Sequence, residues 1–247
     1  MTIEAPVAGR WHPRLIEAAA ALNENRLEVA ERLLKPHLKE DPFDVRAIRM
    51  LAELAARIGR MKDSETLLRR ALEIAPNFTA ARANLALVLG RTGRPAEALE
   101  LLDAVFEAEP EGVGHMNLKA ATLGRLGDFD EGIELYEAVL RKVPRQPRVW
   151  MSYGHMLKTV GRQDEGVRAY REAIAIKPDL GEAWWSLANL KTVTFVEADI
   201  AAMEQAREAP GIDDDDRIHL DFALGKAMQD RGFAGAHTAA RIIDAVH

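Results

Sequence analysis

The chain contains no cysteine, which excludes disulfide staples, thiolate metal sites and a cysteine nucleophile. Aromatic residues make up only 6% of its 247 residues. That is thin for a β-rich core, where aromatic and β-branched side chains are favoured, and suits closely packed helices rich in Ala and Leu. No apolar run reaches the roughly 18 residues that a membrane span needs. The opening MTIEAPVAGRWHPRLIEAAAAL also lacks the basic stretch and uninterrupted apolar run of a secretory leader. Positive charge is not in excess either: 33 Lys and Arg face 39 Asp and Glu, a net charge of -6. These absences lead us to expect a cytoplasmic protein with no membrane and no nucleic-acid partner.

Enzyme signatures are missing as well. The sequence holds no G-x-x-x-x-G-K-[ST], H-E-x-x-H, G-x-S-x-G or dinucleotide fingerprint, so no catalytic residue and no cofactor are expected. The seven histidines, His12, His37, His115, His155, His219, His237 and His247, show no metal-ligand spacing. The acidic run Asp213 to Asp216 lacks the alternating ligands and central Gly of a calcium loop. Acids before an apolar periodic run are expected to cap a helix.

What the chain does have is a period. Pro42, Pro76, Pro110, Pro144 and Pro178 fall 34 residues apart, as do Asn25, Gly59, Gly93, Gly127 and Gly161. Small residues keep the same step, at Ala18, Ala52, Ala86, Ala120 and Gly154 and again at Ala30, Ser64, Ala98, Gly132 and Gly166. Two helices of a pair approach closely only where neither side chain is bulky. Bulk between them is supplied by Leu51, Leu85 and Tyr153 on first helices and by Leu34, Leu68, Leu102, Tyr136 and Tyr170 on second helices. After each turn an acid, Asp63, Glu97, Glu131 or Glu165, stands in the first turn of the next helix, where the helix dipole favours negative charge. A 34-residue unit of two helices predicts an all-α solenoid.

With Trp150, Tyr153, Gly154, Leu157, Gly161, Gly166, Tyr170, Ala173 and Pro178 in register, the fifth unit resembles the tetratricopeptide repeat. The resemblance covers residues 11–178 and implies a right-handed superhelical solenoid of helix-turn-helix repeats. Departures are modest: Arg14, Arg82 and Met116 stand where Trp150 does, and Glu17 and Lys119 where the family prefers Leu. The expected organisation is a flexible lead-in (1–10), five repeats (11–178), and a degenerate repeat with capping helices (179–247). Residues 181–232 further resemble the segment joining repeats to the catalytic domain in bacterial tetratricopeptide-repeat sulfotransferases. No phosphate-binding loop occurs in the sequence, so this likeness implies a truncated relative or the repeat half of a longer protein.

The resemblance also implies that first helices line a concave groove. The outward positions of units two to five include Arg46, Arg49, Arg57, Arg91, Arg125, Arg148 and Lys158 with a single acid, Glu53. Arg57, Arg91 and Arg125 stand 34 apart as a ladder of guanidinium forks suited to carboxylates, with Asn84 and Asn117 as amide donors. Ala80, Ala83, Gly90, Ala121 and Gly124 leave room for a ligand backbone. His155, Asn189 and Trp185 complete the candidate set, Trp185 either stacking on a partner or covered by the last helices. The competing reading is a solvated charged face. The leading expectation is a non-enzymatic scaffold that binds an extended acidic peptide or protein. The alternatives are the substrate-recognition part of a sulfotransferase and a scaffold that self-associates into a homo-oligomer through its final apolar helix, about 234–246.

Overall fold

The computed structural model describes residues 12–230, and among these it contains thirteen α-helices and no strand. Two compact units divide the chain, Met1–Asp128 and Phe129–His247. The first holds α1 (Pro13–Asn23), α2 (Leu27–Glu40), α3 (Val45–Arg57), α4 (Met61–Ile74), α5 (Thr79–Arg91), α6 (Pro95–Ala108) and α7 (Val113–Leu126). The second holds α8 (Phe129–Lys142), α9 (Pro147–Thr159), α10 (Gln163–Ile176), α11 (Gly181–Ala188), α12 (Glu197–Arg207) and α13 (Asp214–Asp230). The lead-in and the final apolar helix expected from the sequence lie outside the described residues.

The periodic turns close as their residues require. Asn25 has φ 55°, and Gly59, Gly93, Gly127 and Gly161 have φ between 79° and 93°, a left-handed conformation that ends a helix with little steric strain only for Gly or Asn. After Gly59 the amide of Arg60 reaches back to the carbonyl of Ala55 at 2.8 Å, and Gly59 N–H to that of Ala56 at 3.2 Å. This paired closure satisfies two carbonyls that the helix end leaves free. The same long bond recurs from Arg26 to Ala21, Arg94 to Leu89, Asp128 to Leu123 and Arg162 to Leu157.

Within the first unit α1 packs on α2, α3 on α4 and α5 on α6, with α2 against α3 and α4 against α5. The small residues sit at the contacts, with Ala18, Ala30, Ala52, Ser64 and Ala98 all fully buried, and Leu34, Leu68, Leu85 and Leu102 fill the remaining space. Leu51 is the exception: it is only half-buried, at the margin of the cluster built on Leu15, Leu34 and Met50.

In the second unit α9 and α10 repeat the arrangement with different volumes. Tyr170 is fully buried where the first three repeats have Leu and the fourth has Tyr136, and its ring lies where a Cβ on Gly154 would stand, 2.8 Å away. A Cβ on Gly166 would come within 3.2 Å of the Gly154 carbonyl. The ring is thus accommodated here by two glycines, where the first three pairs have Ala or Ser and the fourth has Ala120 and Gly132 beside Tyr136. Past α10 the period gives way. Phe195, which replaces the turn glycine, is buried against Trp184 with ring centroids 6.1 Å apart. The loop 189–196 is therefore pinned by an apolar side chain in place of a left-handed turn.

The acid run does cap a helix. The Asp213 carboxylate accepts the Asp216 amide at 2.7 Å at the start of α13. Asp216 adds a second role that the pattern did not show. Buried, it accepts from the Gly181 amide at 2.9 Å and from Lys177 Nζ at 3.0 Å, tying α13 to the start of α11.

Candidate partner-binding surface

The ladder arginines occupy the ends of three first helices, α3, α5 and α7, which lie side by side in the first unit. Arg57 is engaged: it donates to the Leu22 carbonyl at 2.7 Å and to Glu53 at 2.6 Å. Leu22 belongs to the last turn of α1, so a guanidinium of one repeat meets the negative end of the preceding first helix. Arg125 follows a related course, its Nη1 lying 2.8 Å from where a Cβ on Gly90 of α5 would stand. A larger residue there would push the guanidinium aside. Arg91 and Arg125 are exposed and make no hydrogen bond or ion pair among the described residues.

The other basic positions of this unit divide in the same way. Arg49 shares Glu53 with Arg57, at 3.3 Å, and Arg46 stands 3.7 Å from the Asp44 carboxylate. Glu53 and Asp44 therefore draw the basic charge of α3 into local pairs. Asn84 and Asn117 are half-buried, with Ala83 buried and Leu87 exposed between the ladder residues of α5.

In the second unit Arg148 and Lys158 are exposed on α9. His155 is held: Tyr170 Oη lies 3.1 Å from its Nδ1, and Glu182 lies 3.7 Å from its Nε2. Burial pushes the imidazole below its ordinary pKa, against the pull of Glu182, so it is neutral at pH 7 and accepts from the phenol. Trp185 is half-covered by α13. Its ring packs on His219 at 5.6 Å and on Phe222 at 6.5 Å, leaving 37% of the residue exposed. Asn189 turns back on its own helix, donating to the Trp185 carbonyl at 2.9 Å.

Among the described residues one group of side chains is close enough to share an ion: His37, Asp41 and Asp44, with ligand atoms within 4.8 Å of one another. The three lie within eight residues, from the last turn of α2 to the N-cap of α3. Asp44 already has a structural task. One oxygen accepts the Arg46 and Ala47 amides that open α3, and the other accepts His37 Nε2–H at 3.0 Å. Burial works to raise its pKa, but these bonds and the charge of Arg46 hold it below the ordinary carboxylate value.

The sequence profile described as the tetratricopeptide repeat matches residues 15–180. The chain belongs to the tetratricopeptide-repeat family. No curated protein matches it. Among solved structures, YrrB, described as a tetratricopeptide-repeat protein with an unusual peptide-binding site, superposes with TM-score 0.57 at 20% identity, covering 70% of this chain and 90% of its own. MamA of strain AMB-1 superposes with TM-score 0.58 at 23% identity, over 68% and 99% of the two chains. MamA from Desulfovibrio magneticus RS-1 gives 0.58 at 17% identity, over 68% and 98%. At these identities the likeness is one of fold.

The tetratricopeptide register explains the departures seen at the tryptophan position. Trp150 Nε1–H donates to the Pro144 carbonyl at 2.7 Å, and Trp184 Nε1–H to that of Pro178 at 2.9 Å. Arg82, in the same register, donates from Nη2 to the Pro76 carbonyl at 2.5 Å. At Arg82 a guanidinium thus takes over the bond that the indole makes to the end of the previous helix, whereas Ile48 and Met116 fill the same position with a buried apolar side chain. Arginine also precedes the second helix in several repeats, where it pairs with the acid three residues on: Arg60 with Asp63, Arg94 with Glu97 and Arg162 with Glu165.

Proposed function

We propose that this chain is a protein-interaction scaffold that binds an extended acidic peptide across the first helices of its first unit, with Arg91 and Arg125 as the charged contacts. The observation that carries the reading is that these two arginines lie exposed on adjacent helices with no partner among the described residues. Arg49 and Arg57 are joined to Glu53. A guanidinium facing water loses little by exchanging it for a carboxylate, and its fork fits one bidentately. Small side chains at Ala83, Gly90, Ala121 and Gly124 keep the surface beside them low, and the Asn84 and Asn117 amides can pair with a peptide backbone. Arg57 steadies the edge of this surface through Leu22. Membership of the tetratricopeptide family and the interaction role common to such repeats support a scaffold over an enzyme. Among the described residues no helix is long and apolar enough to cross a membrane.

The test is fluorescence anisotropy with a labelled glutamate-rich peptide. Replacing both Arg91 and Arg125 by Glu is expected to weaken binding by well over tenfold, about 1.4 kcal/mol or more. Equal affinity in wild type and variant rejects the reading.

A second reading rests on the likeness of residues 181–232 to the repeat-to-catalytic junction of bacterial sulfotransferases. Under it the repeats present an acceptor substrate to a donor-binding domain outside this sequence. Recovery of a partner with a strand followed by a phosphate-binding loop would favour it. Self-association through residues 234–247 concerns a segment outside the described residues; light scattering before and after its removal tests it, and an unchanged mass counts against it.

A further inference from the structure

A cleft of about 460 Å³ opens in the second unit among α8, α9 and α10, lined in part by Ala169, Trp150 and Tyr153. Its origin can be traced to the repeat. The positions equivalent to Ala169 are Leu33, Leu67, Leu101 and Leu135, and the first three of those leucines pack against the cores of the first unit. Shortening that side chain to Ala removes three carbons beside α9. The indole and phenol line the same cleft, with ring centroids 6.1 Å apart and planes at 60°.

The charge around the cleft leans one way. Three carboxylates, Glu137, Glu165 and Glu172, line it against two guanidiniums, Arg141 and Arg168. Both arginines reach outward, with side chains 71% and 69% exposed, and each stands 4.0 Å from its nearest carboxylate, the outer limit of an ion pair. Glu137 accepts the Tyr153 hydroxyl at 2.9 Å, and burial together with that carboxylate pushes the phenol up to about 12, so it remains a neutral donor. Glu165 is held by Arg162 through two hydrogen bonds. Glu172 has no hydrogen bond or ion pair among the described residues. An unpaired carboxylate beside two aromatic rings in a concave site is complementary to an organic cation, which gains both a charge-assisted hydrogen bond and the attraction of a ring face.

We propose that this cleft receives an arginine or lysine side chain from a basic segment of a partner protein, with its charge paired to Glu172 and its stem against Trp150. The site is independent of the basic surface of the first unit and selects the opposite charge. A scaffold so built holds an acidic segment on one unit and a basic one on the other.

The experiment uses the full chain and two labelled probes, a hexa-arginine and a hexa-glutamate peptide, read by anisotropy near physiological salt. Ala169→Leu fills the cleft without changing the net charge, so it separates occupancy of the cleft from the general pull of a protein of charge -6 on a polycation. Hexa-arginine is expected to bind Ala169→Leu at least tenfold more weakly than wild type, while hexa-glutamate binding stays unchanged. Thermal unfolding checks that Ala169→Leu is folded, since Ala169 is buried although four other repeats carry Leu at this position. Glu172→Lys decides the matter independently, compared with Glu204→Lys on α12, which makes the same charge change away from the lining of the cleft. Glu172→Lys must weaken hexa-arginine binding several-fold more than Glu204→Lys. Undiminished binding to a folded Ala169→Leu, or equal effects of the two lysine substitutions, overturns the proposal.

Discussion

Single residues in this protein are chosen in pairs across a helix contact. Gly154 is glycine because the Tyr170 ring occupies the place of its Cβ, and Tyr170 is tyrosine where Leu34, Leu68 and Leu102 serve elsewhere. Gly154→Ala should therefore destabilise the second unit by about 1–3 kcal/mol through overpacking. In a Tyr170→Leu background the same substitution should cost far less, a coupling that urea denaturation of the double-mutant cycle would measure. Additive losses would show that the ring and the glycine are unrelated.

Asp44 gives a prediction in pH. Its folded pKa is lowered, so the unfolded chain takes up its proton first as the solution is acidified. The stability it contributes is full above its unfolded pKa of about 4 and is lost as pH falls through the lower folded value. Asp44→Asn removes that dependence. The gap in unfolding free energy between wild type and Asp44→Asn should be wide at pH 7 and narrow on acidification towards pH 3.

At the scale of elements, helices and turns were readable from the chain because each depends on local chemistry at a fixed step. A left-handed residue closes the first helix, an acid opens the second, and small residues mark the contact. What could not be read were bonds that depend on how one repeat seats on the next. Arg57 stands out in the sequence as one rung of a ladder, but its bond to the Leu22 carbonyl spans 35 residues and needs the register of α1 against α3. Asn189 looked like a groove donor, and it is folded onto its own helix by a bond only four residues long. Trp185 was expected either to stack on a partner or to be covered by the last helices, and nothing in the repeat told how α13 would meet it, since α13 follows the loss of the period. The Ala169 cleft was visible as a missing leucine, but the rings and carboxylates around it become neighbours only when α8, α9 and α10 come together.

The docking of α13 is the element that leans most on one contact. A Cβ on Gly181 would fall 2.1 Å from the Asp216 carbonyl oxygen, so Gly181→Ala must displace either α11 or α13. Hydrogen exchange should show α13 amides losing protection in this variant, with the cost exceeding about 2 kcal/mol, while amides of α3 and α5 are unaffected. Asp216→Ala should act in the same direction, because it leaves the Gly181 amide without its acceptor. Retained protection in both variants would mean that the apolar contacts of Leu220, Ala223 and Leu224 suffice alone.

For the whole molecule, charge is separated from its sum. The chain carries -6 overall, yet the first helices of the first unit present Arg91 and Arg125 with no counter-charge among the described residues. Under the proposed function, an acidic peptide would have to overcome a repulsive net field with a short-range attraction. Salt screens both, and the shorter-ranged pairing is the one that fixes the complex. Raising salt from about 50 to 500 mM should weaken the wild-type complex markedly and leave the residual affinity of the Arg91→Glu, Arg125→Glu variant unchanged or improved, because only the repulsion remains to be screened there.

The indole bonds to proline carbonyls have a practical side. Three of the four tryptophans, Trp150, Trp184 and Trp185, belong to the second unit, and the fourth is Trp11. Trp184 is buried and anchored to Pro178, whereas Trp185 meets solvent. In a Trp11→Phe protein, emission would come from the second unit alone, and circular dichroism would count helices in both. Following one sample with the two signals would show directly whether the halves of this repeat array unfold together or in turn.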